Sequence, residues 1–246
     1  MNEPQERRKR HAATIIGRVA LACGLLAGVL VALVWSGRVP VPDRYNPYAP
    51  IRVEDEITWL TRHKLQRLTG NRDQCLASLA ASPLRYRPLD NVSRGDGCGL
   101  TDAVEVQGAG IAFSSRFTAT CSVAAGLALL EYHVIQPAAQ EHLRSRVTSL
   151  DHAGSYACRN VNHRARGRRS EHATANALDL TGFTLANGRR VNVLGSWGGR
   201  RADEAAFLRA VRDGACRLFP VVLGPDYNAL HRDHFHLDMG RFRRCS

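Results

Sequence analysis

The chain has 246 residues, 44% of them hydrophobic, and a formal charge of +12; that is enough for one sizeable domain with accessories and too apolar for disorder throughout. Five basic and two acidic residues up to Arg18 leave +9 on the remainder, almost all of it arginine, with Lys9 and Lys64 the only lysines. No basic motif interleaved with aromatics is present, which argues against a nucleic-acid partner and leaves an anionic polymer or lipid head groups as the expected attraction.

Arg7-Arg8-Lys9-Arg10 precede an apolar run from Ile15 to Trp35 that is interrupted by Arg18. About 20 apolar residues cross a bilayer as a helix, and Arg18 can snorkel toward the head groups. Residues 1–14 therefore read as a cytoplasmic basic tail and 15–35 as an uncleaved transmembrane anchor that sends the rest outward. A cleaved signal peptide is the alternative, but no convincing small-x-small cleavage site follows Leu33. Gly37 to Pro50 carries four prolines in fourteen residues, so residues 36–54 are expected to form a stiff linker to a domain over 55–246.

Within that domain the spacing of Ile57, Leu60, Leu65 and Leu68 predicts a helix over 55–68, and a second, short one covers 75–81. Leu84 to Leu89 reads as an edge strand ended by Pro88, Asp90 to Gly99 as loop, and Val104 to Val106 as a strand. Val123, Leu127, Leu130 and Val134 predict a strong helix over 120–135 that Pro137 ends or kinks; Glu131 and His133 on it are expected to be solvated or to cap. Arg146–Leu150 and Gly154–Ala157 look like strands, and Asn160–Arg169 like a flexible basic loop with a solvent-facing His163. Leu178 to Leu185 and Val191 to Leu194 flank an Asn187-Gly188 turn and read as a hairpin. A helix over 203–219 and strands at 221–223 and 234–239 complete the pattern. Without a βαβ rhythm the fold class is α+β: a small, mainly antiparallel sheet with helices packed on it, preceded by one transmembrane helix.

Beyond Cys23 there are six cysteines: Cys75, Cys98, Cys121, Cys158, Cys216 and Cys245. An even number in an outward-facing domain predicts three disulfides among about 15 possible connectivities. Pairing of Cys75 with Cys98 is expected because it closes a short loop. No CxxC pair exists, which excludes a cysteine zinc site of the usual spacing.

The densest chemistry lies in His231-Arg232-Asp233-His234-Phe235-His236-Leu237-Asp238, three histidines and two carboxylates within eight residues. On an extended chain His234, His236 and Asp238 share one face, and Phe235 and Leu237 the other. A second stretch, Ser170 to Leu180, contributes His172 and Asp179, a loop histidine and a strand carboxylate able to converge on the first. Two imidazole nitrogens and one carboxylate oxygen suit zinc and leave a fourth position for water, as a hydrolase requires.

Three motifs carry a resemblance: AGSYACRN (Ala153–Asn160), SEHATANALDL (Ser170–Leu180) and ALHRDHFHLD (Ala229–Asp238). From about Cys75 to Cys245 the chain resembles the bacterial extensin-like C-terminal domain. Its motifs are also similar to those of zinc peptidases that include D-alanyl-D-alanine carboxypeptidases, D-Ala-D-Ala dipeptidases and penicillin-insensitive murein endopeptidases, which share S-x-H-x6-D and a distal H-x-H. The resemblance implies His172, Asp179 and His236 as ligands of one zinc ion, and Arg159 and Ser155 as holders of the substrate carboxylate or backbone. Asp233 takes the position of the general base of one branch, and the spacing of His231 and His234 matches a histidine-rich branch; Asp233 is the expected base, and Asp238 is expected to orient a ligand histidine. Two departures stand out. Ala175 replaces a glycine, and Asp233, a methylene shorter than glutamate, needs a turn or bulge to face the metal. The implied activity is that of a zinc-dependent peptidase acting on peptidoglycan peptides, single-pass in the bacterial inner membrane with its domain in the periplasm. A non-catalytic, zinc-containing cell-wall-binding module is the alternative.

Overall fold

In the computed structural model, which describes residues 3–246 with side chains from residue 11 onward, the apolar run lies in one helix, Glu3–Trp35. Its stretch His11–Trp35 has 25 residues and is long and apolar enough to cross a membrane. At 1.5 Å per residue it extends roughly 37 Å, against a hydrocarbon core of about 30 Å. The chain divides after Pro42, and the second unit runs Asp43–Ser246. The second half of the proline-rich segment thus belongs to the domain. Ala49, Ile51 and Val53 are buried, and Lys64 Nζ donates to the Asp43 carbonyl at 3.0 Å.

The second unit contains strands β1 (Arg85–Pro88), β2 (Val92–Ser93), β3 (Gly99–Leu100), β4 (Ala103–Gly108), β5 (Ala112–Phe113), β6 (Phe117–Thr120), β7 (Val147–His152), β8 (Ala177–Leu185), β9 (Arg190–Asn192), β10 (Val221–Leu223), β11 (Phe235–Asp238) and β12 (Arg244–Cys245). The main sheet has the order β12-β10-β11-β8-β7-β5, with β9 also on β8; a three-stranded sheet has the order β1-β4-β6, and β2 pairs with β3. Pairing is antiparallel except for β5 with β7 and β10 with β12. The class is α+β, with helices segregated against the sheets.

Strand β8 is central because it is buried on both faces over most of its length. Leu178, Leu180, Phe235 and Leu237 point into a core shared with the helices, and the alternating residues of β8 and β11 face the opposite side. On the core side the helix Cys121–Leu130 is buried at every position, so its stripe is not the one-sided pattern of a surface helix but part of an apolar rod. Thr120 caps it, accepting the Val123 N–H.

The helix expected over 55–68 is confined to Thr61–Arg67, the segment before it being held in turns. Gly154–Ala157 is not a strand; with Gly154 at φ +104 the chain leaves the sheet. The Asp90–Gly99 loop contains the β2–β3 ladder, and β5, β6 and β12 are too short to show a period. Pro137 does not end its helix. Glu131–Ile135 forms a π turn in which the Gln136 N–H reaches the Glu131 carbonyl, and this wider turn accommodates a residue without an N–H, so helical structure continues to Leu143. Glu131 is buried rather than solvated: it accepts from Gln136 Nε2 at 2.8 Å, and Gln136 in turn bonds both backbone groups of Val147 at the start of β7.

Six cysteines form three disulfides, as their even number implies, but Cys75 pairs with Cys121 rather than Cys98. The others are Cys98–Cys158 and Cys216–Cys245. Cys75 and Cys121 sit on helices packed together, whereas Cys98 lies in the loop beside the AGSYACRN segment, so separation along the chain does not decide the pairing. Cys23 is free and exposed.

The helix Ala202–Leu218 packs through Gly214 against the π turn. A Cβ added there would overlap Val134 Cγ1 and lie 3.0 Å from its Cβ. Glycine-to-alanine in a helix interior ordinarily stabilises by about 1 kcal/mol. At this site overpacking against a stiff β-branched side chain costs about 1–3 kcal/mol and outweighs that gain. Gly214→Ala is therefore expected to lower the urea midpoint, whereas an exposed glycine-to-alanine change would raise it; an increase would show that the two helices are free to separate.

Candidate metal centre

The register of two strands builds the centre. In the β8–β11 ladder His236 lies directly opposite Asp179, and both project from the face opposite the core. Directly opposed side chains on one face of an antiparallel pair have Cβ atoms about 4.5–5.5 Å apart, so the pairing delivers one imidazole and one carboxylate to the same place. The third member comes from a 3₁₀ turn, Glu171–Thr174, capped by the Ser170 hydroxyl, which accepts the His172 N–H. Ala175 closes that turn in the left-handed region at φ +55, and its N–H donates to the His172 carbonyl. The departure from glycine at this position therefore keeps the conformation that glycine would supply, at some steric cost.

His172 Nε2, Asp179 and His236 Nδ1 meet. His172 Nε2 lies 3.1 Å from His236 Nδ1 and 3.2 Å from Asp179 Oδ2, and His236 Nδ1 lies 2.9 Å from Asp179 Oδ1. Tetrahedral bonds of 2.0–2.1 Å to zinc would separate ligand atoms by roughly 3.3 Å, so the donor set fits a single ion with little movement. All three residues are buried. Their far sides are also committed: His172 Nδ1 donates to the Ser155 carbonyl at 2.8 Å, and His236 Nε2 to Asp238 Oδ2 at 3.0 Å. Asp238 Oδ1 accepts from the Gly240 N–H at 2.8 Å. With both rings neutral, these partners fix each imidazole tautomer and leave the lone pairs of Nε2 on His172 and Nδ1 on His236 for a metal.

The remaining site residues are divided. His231, Asp233, His234 and Arg159 line the same cleft, about 510 Å³ in volume. Asp233 sits in the turn before β11, and its Oδ1 is 2.9 Å from His234 Nδ1, so its carboxylate engages His234 rather than the three-residue cluster. His234 Nε2 lies 3.6 Å from Asp179 Oδ1. His231 Nδ1 bonds Asn228 Oδ1 at 2.8 Å, and its ring is 5.2 Å from that of His234. Ser155 is placed differently from the substrate contact expected of it: its hydroxyl is buried and donates to the Ala177 carbonyl at 2.5 Å. Its part is to hold His172 against β8. His163 is exposed and lies at the cleft.

Sequence reasoning passed over Asn228, Asn176, Arg168 and Arg244. Asn228 caps the 3₁₀ turn Ala229–His231, and an asparagine three residues before a histidine was the available signal. Asn176 joins the two halves of the site, donating to Glu171 Oε2 at 2.7 Å while its carbonyl accepts the Met239 N–H. Arg168 and Arg244 line the cleft, lying over the rings of Phe242 and Tyr227. Nothing in the spacing of two arginines so far apart indicates that they share a wall.

Burial disfavours ionisation of Asp179, yet hydrogen bonds from His172 and His236 outweigh it and hold the carboxyl well below the usual range. Burial likewise opposes a charge on His236, but the carboxylates of Asp179 and Asp238 raise it to about 9. His231 is pushed down to about 4, first by burial and then by the neighbouring His236 and His234, and is neutral at pH 7. The hydrogen bond to His234 lowers Asp233.

A family model described as Extensin-like protein C-terminus matches residues 73–246, more than half of the chain and all of the cluster. No curated protein and no solved structure matches.

The raised His236 makes the metal-free fold pH-dependent. Its contribution to stability is fully present below the unfolded value of about 6.5 and is lost as pH rises through about 9. The melting temperature of metal-free protein should thus fall between pH 6.5 and 9.5, roughly the window between those two values. His236→Gln should flatten that slope, and an unchanged slope in the variant would remove the carboxylate-held imidazolium from the account.

Proposed function

We propose, from the premise that this chain belongs to the extensin-like protein C-terminus family, that its domain is a zinc-dependent hydrolase of peptide bonds in cell-wall peptidoglycan. The observation that carries the reading is the convergence of His172 Nε2, His236 Nδ1 and the Asp179 carboxylate within hydrogen-bond distance of one another at an open cleft. A purely structural zinc site has four protein ligands and is closed, whereas three ligands beside a 510 Å³ cleft leave room for substrate and water. Zinc bound there would polarise a carbonyl and bring the pKa of a water ligand toward about 7.

The chain's own groups supply the rest. His234 is fixed by Asp233 at Nδ1, which leaves Nε2 to accept a proton at the centre and return it to the leaving amine. This pairing moves the base from Asp233, the choice favoured by sequence position, to His234, with Asp233 as the positioning residue. His231 is neutral, with Nδ1–H held by Asn228, and can accept a hydrogen bond through Nε2. Arg159, Arg168 and Arg244 line the cleft and pair with no carboxylate among the described residues, an arrangement suited to a peptide that carries free carboxylates. The N-terminal helix would hold the domain at the outer side of a bacterial inner membrane, and the three disulfides are consistent with an oxidising periplasm.

Protein purified from an oxidising compartment is expected to carry about one zinc ion per chain, and His236→Ala to lose it. Incubation with purified peptidoglycan should then change the muropeptide masses. Full zinc occupancy with unchanged muropeptides would leave the wall-binding module as the reading; no zinc in folded, oxidised protein would end both. With zinc retained, His234→Ala should lower the rate by about 10²–10⁴. Asp233→Asn should cost less and shift the acid limb of the pH–rate profile; the reverse order of the two variants would restore Asp233 as the base.

A further inference from the structure

Beside the metal cleft lies a second basin of about 360 Å³, bordered by Ser115, Arg116, Phe117, Thr118 and His152. The two are neighbours, since Ala153 lines both. The separating backbone lies just beyond the end of β7 and is held to β8: the Ala153 N–H donates to the Asp179 carbonyl at 2.9 Å, and the Gly154 carbonyl accepts the Asp179 N–H at 3.2 Å. The backbone dividing the basins is therefore bonded directly to a metal-site residue. It is also low. Gly154 has φ +104, which suits glycine, and a Cβ built on it meets nothing within 4 Å.

The basin borders the end of a strand. Strand β6 ends its sheet beside β4; its outer edge is bonded to the Ala175 carbonyl at Thr120, and its other end, Phe117 and Thr118, borders the basin. An open strand edge is a template for a peptide backbone. Arg116 adds a guanidinium on a side chain 72% exposed, 3.8 Å from Glu105, where solvent screening leaves it available to a carboxylate. His152 Nε2 donates to the Ser115 carbonyl at 3.0 Å, and its Nδ1 accepts the Gly154 N–H at 3.2 Å. One imidazole thus ties the basin wall to the dividing backbone.

We infer that the substrate groove continues across Gly154 into this basin, so that a peptide occupies both sides of the metal centre and is cut internally, as in a cross-linked peptide, rather than trimmed at its end. The inference rests on the hydrolase reading for the word "cut", but not for the binding. Exposed Ser115 is the place to fill the basin without touching the metal cleft. Detergent-solubilised full chain and its Ser115→Trp and Arg116→Glu variants would be compared on two probes, a disaccharide pentapeptide monomer and a cross-linked muropeptide dimer. The expected result is a roughly 10-fold lower kcat/KM on the dimer, carried by KM, with the monomer unaffected. Dimer binding by a His234→Ala background should weaken by a similar factor. Equal effects on both probes, or none on either, would overturn the inference. If neither probe is cleaved but Ser115→Trp still weakens dimer binding, the groove stands and the hydrolase reading falls.

Discussion

The centre depends on one register. Asp179 and His236 face each other across β8 and β11 because Leu178 pairs with Leu237 and Leu180 with Phe235, and those four apolar side chains occupy the core. The period of a strand is two, so a shift by one residue would send the leucines and phenylalanine outward and the ionisable pair inward. Burial of an unpaired carboxylate and of four apolar groups in the wrong solvent would both oppose it. The hydrophobic core thus holds the geometry of Asp179 and His236 from the opposite face of the sheet.

What surrounds the cluster follows from the cost of burying ionisable groups. His172, Asp179, His236 and Asp238 are all buried, and every one of their polar atoms that faces protein has a partner. Asp238 accepts from both His236 and the Gly240 backbone. His172 is bonded to the Ser155 carbonyl, and Ser155 is itself tied to β8 through Ala177. A partly satisfied network in a low-dielectric setting is worse than none, which accounts for the completeness of this one. The same logic separates Asp233, which is half exposed and bonded to His234, from the buried carboxylates: it tunes a neighbour where they build the floor.

Two of the covalent links act on segments that border the cleft. Cys98–Cys158 joins the loop before β3 to the residue preceding Arg159, and Cys216–Cys245 ties the C-terminal strand, which carries Arg244, to the helix Ala202–Leu218. Each arginine of the cleft on an irregular segment is thereby within one residue of a bridge or laid on an aromatic ring. Removing such a bridge typically costs about 2–5 kcal/mol in a small domain; here it would also release arginines that line the cleft.

Elements with a sustained pattern were legible in the chain alone: the apolar N-terminal helix, the strand from Leu178 to Leu185, the amphipathic helix over 203–219 and the strand over 234–239. The sequence also marked the stretches that hold the cluster, because three histidines and two aspartates in eight residues are visible without a fold. Those properties are local, fixed by periodicity and composition. Which groups meet is a matter of packing. The pairing of Cys75 with Cys121, the contact of Asp233 with His234, the withdrawal of Ser155 into a backbone contact and the arrival of Arg168 and Arg244 at one cleft depend on how distant elements pack. The π turn that carries a helix past Pro137 belongs with them, since it is stabilised by the contact of Gln136 with β7. Spacing along a chain sets which face a side chain takes; the distance between two faces is set by everything packed behind them.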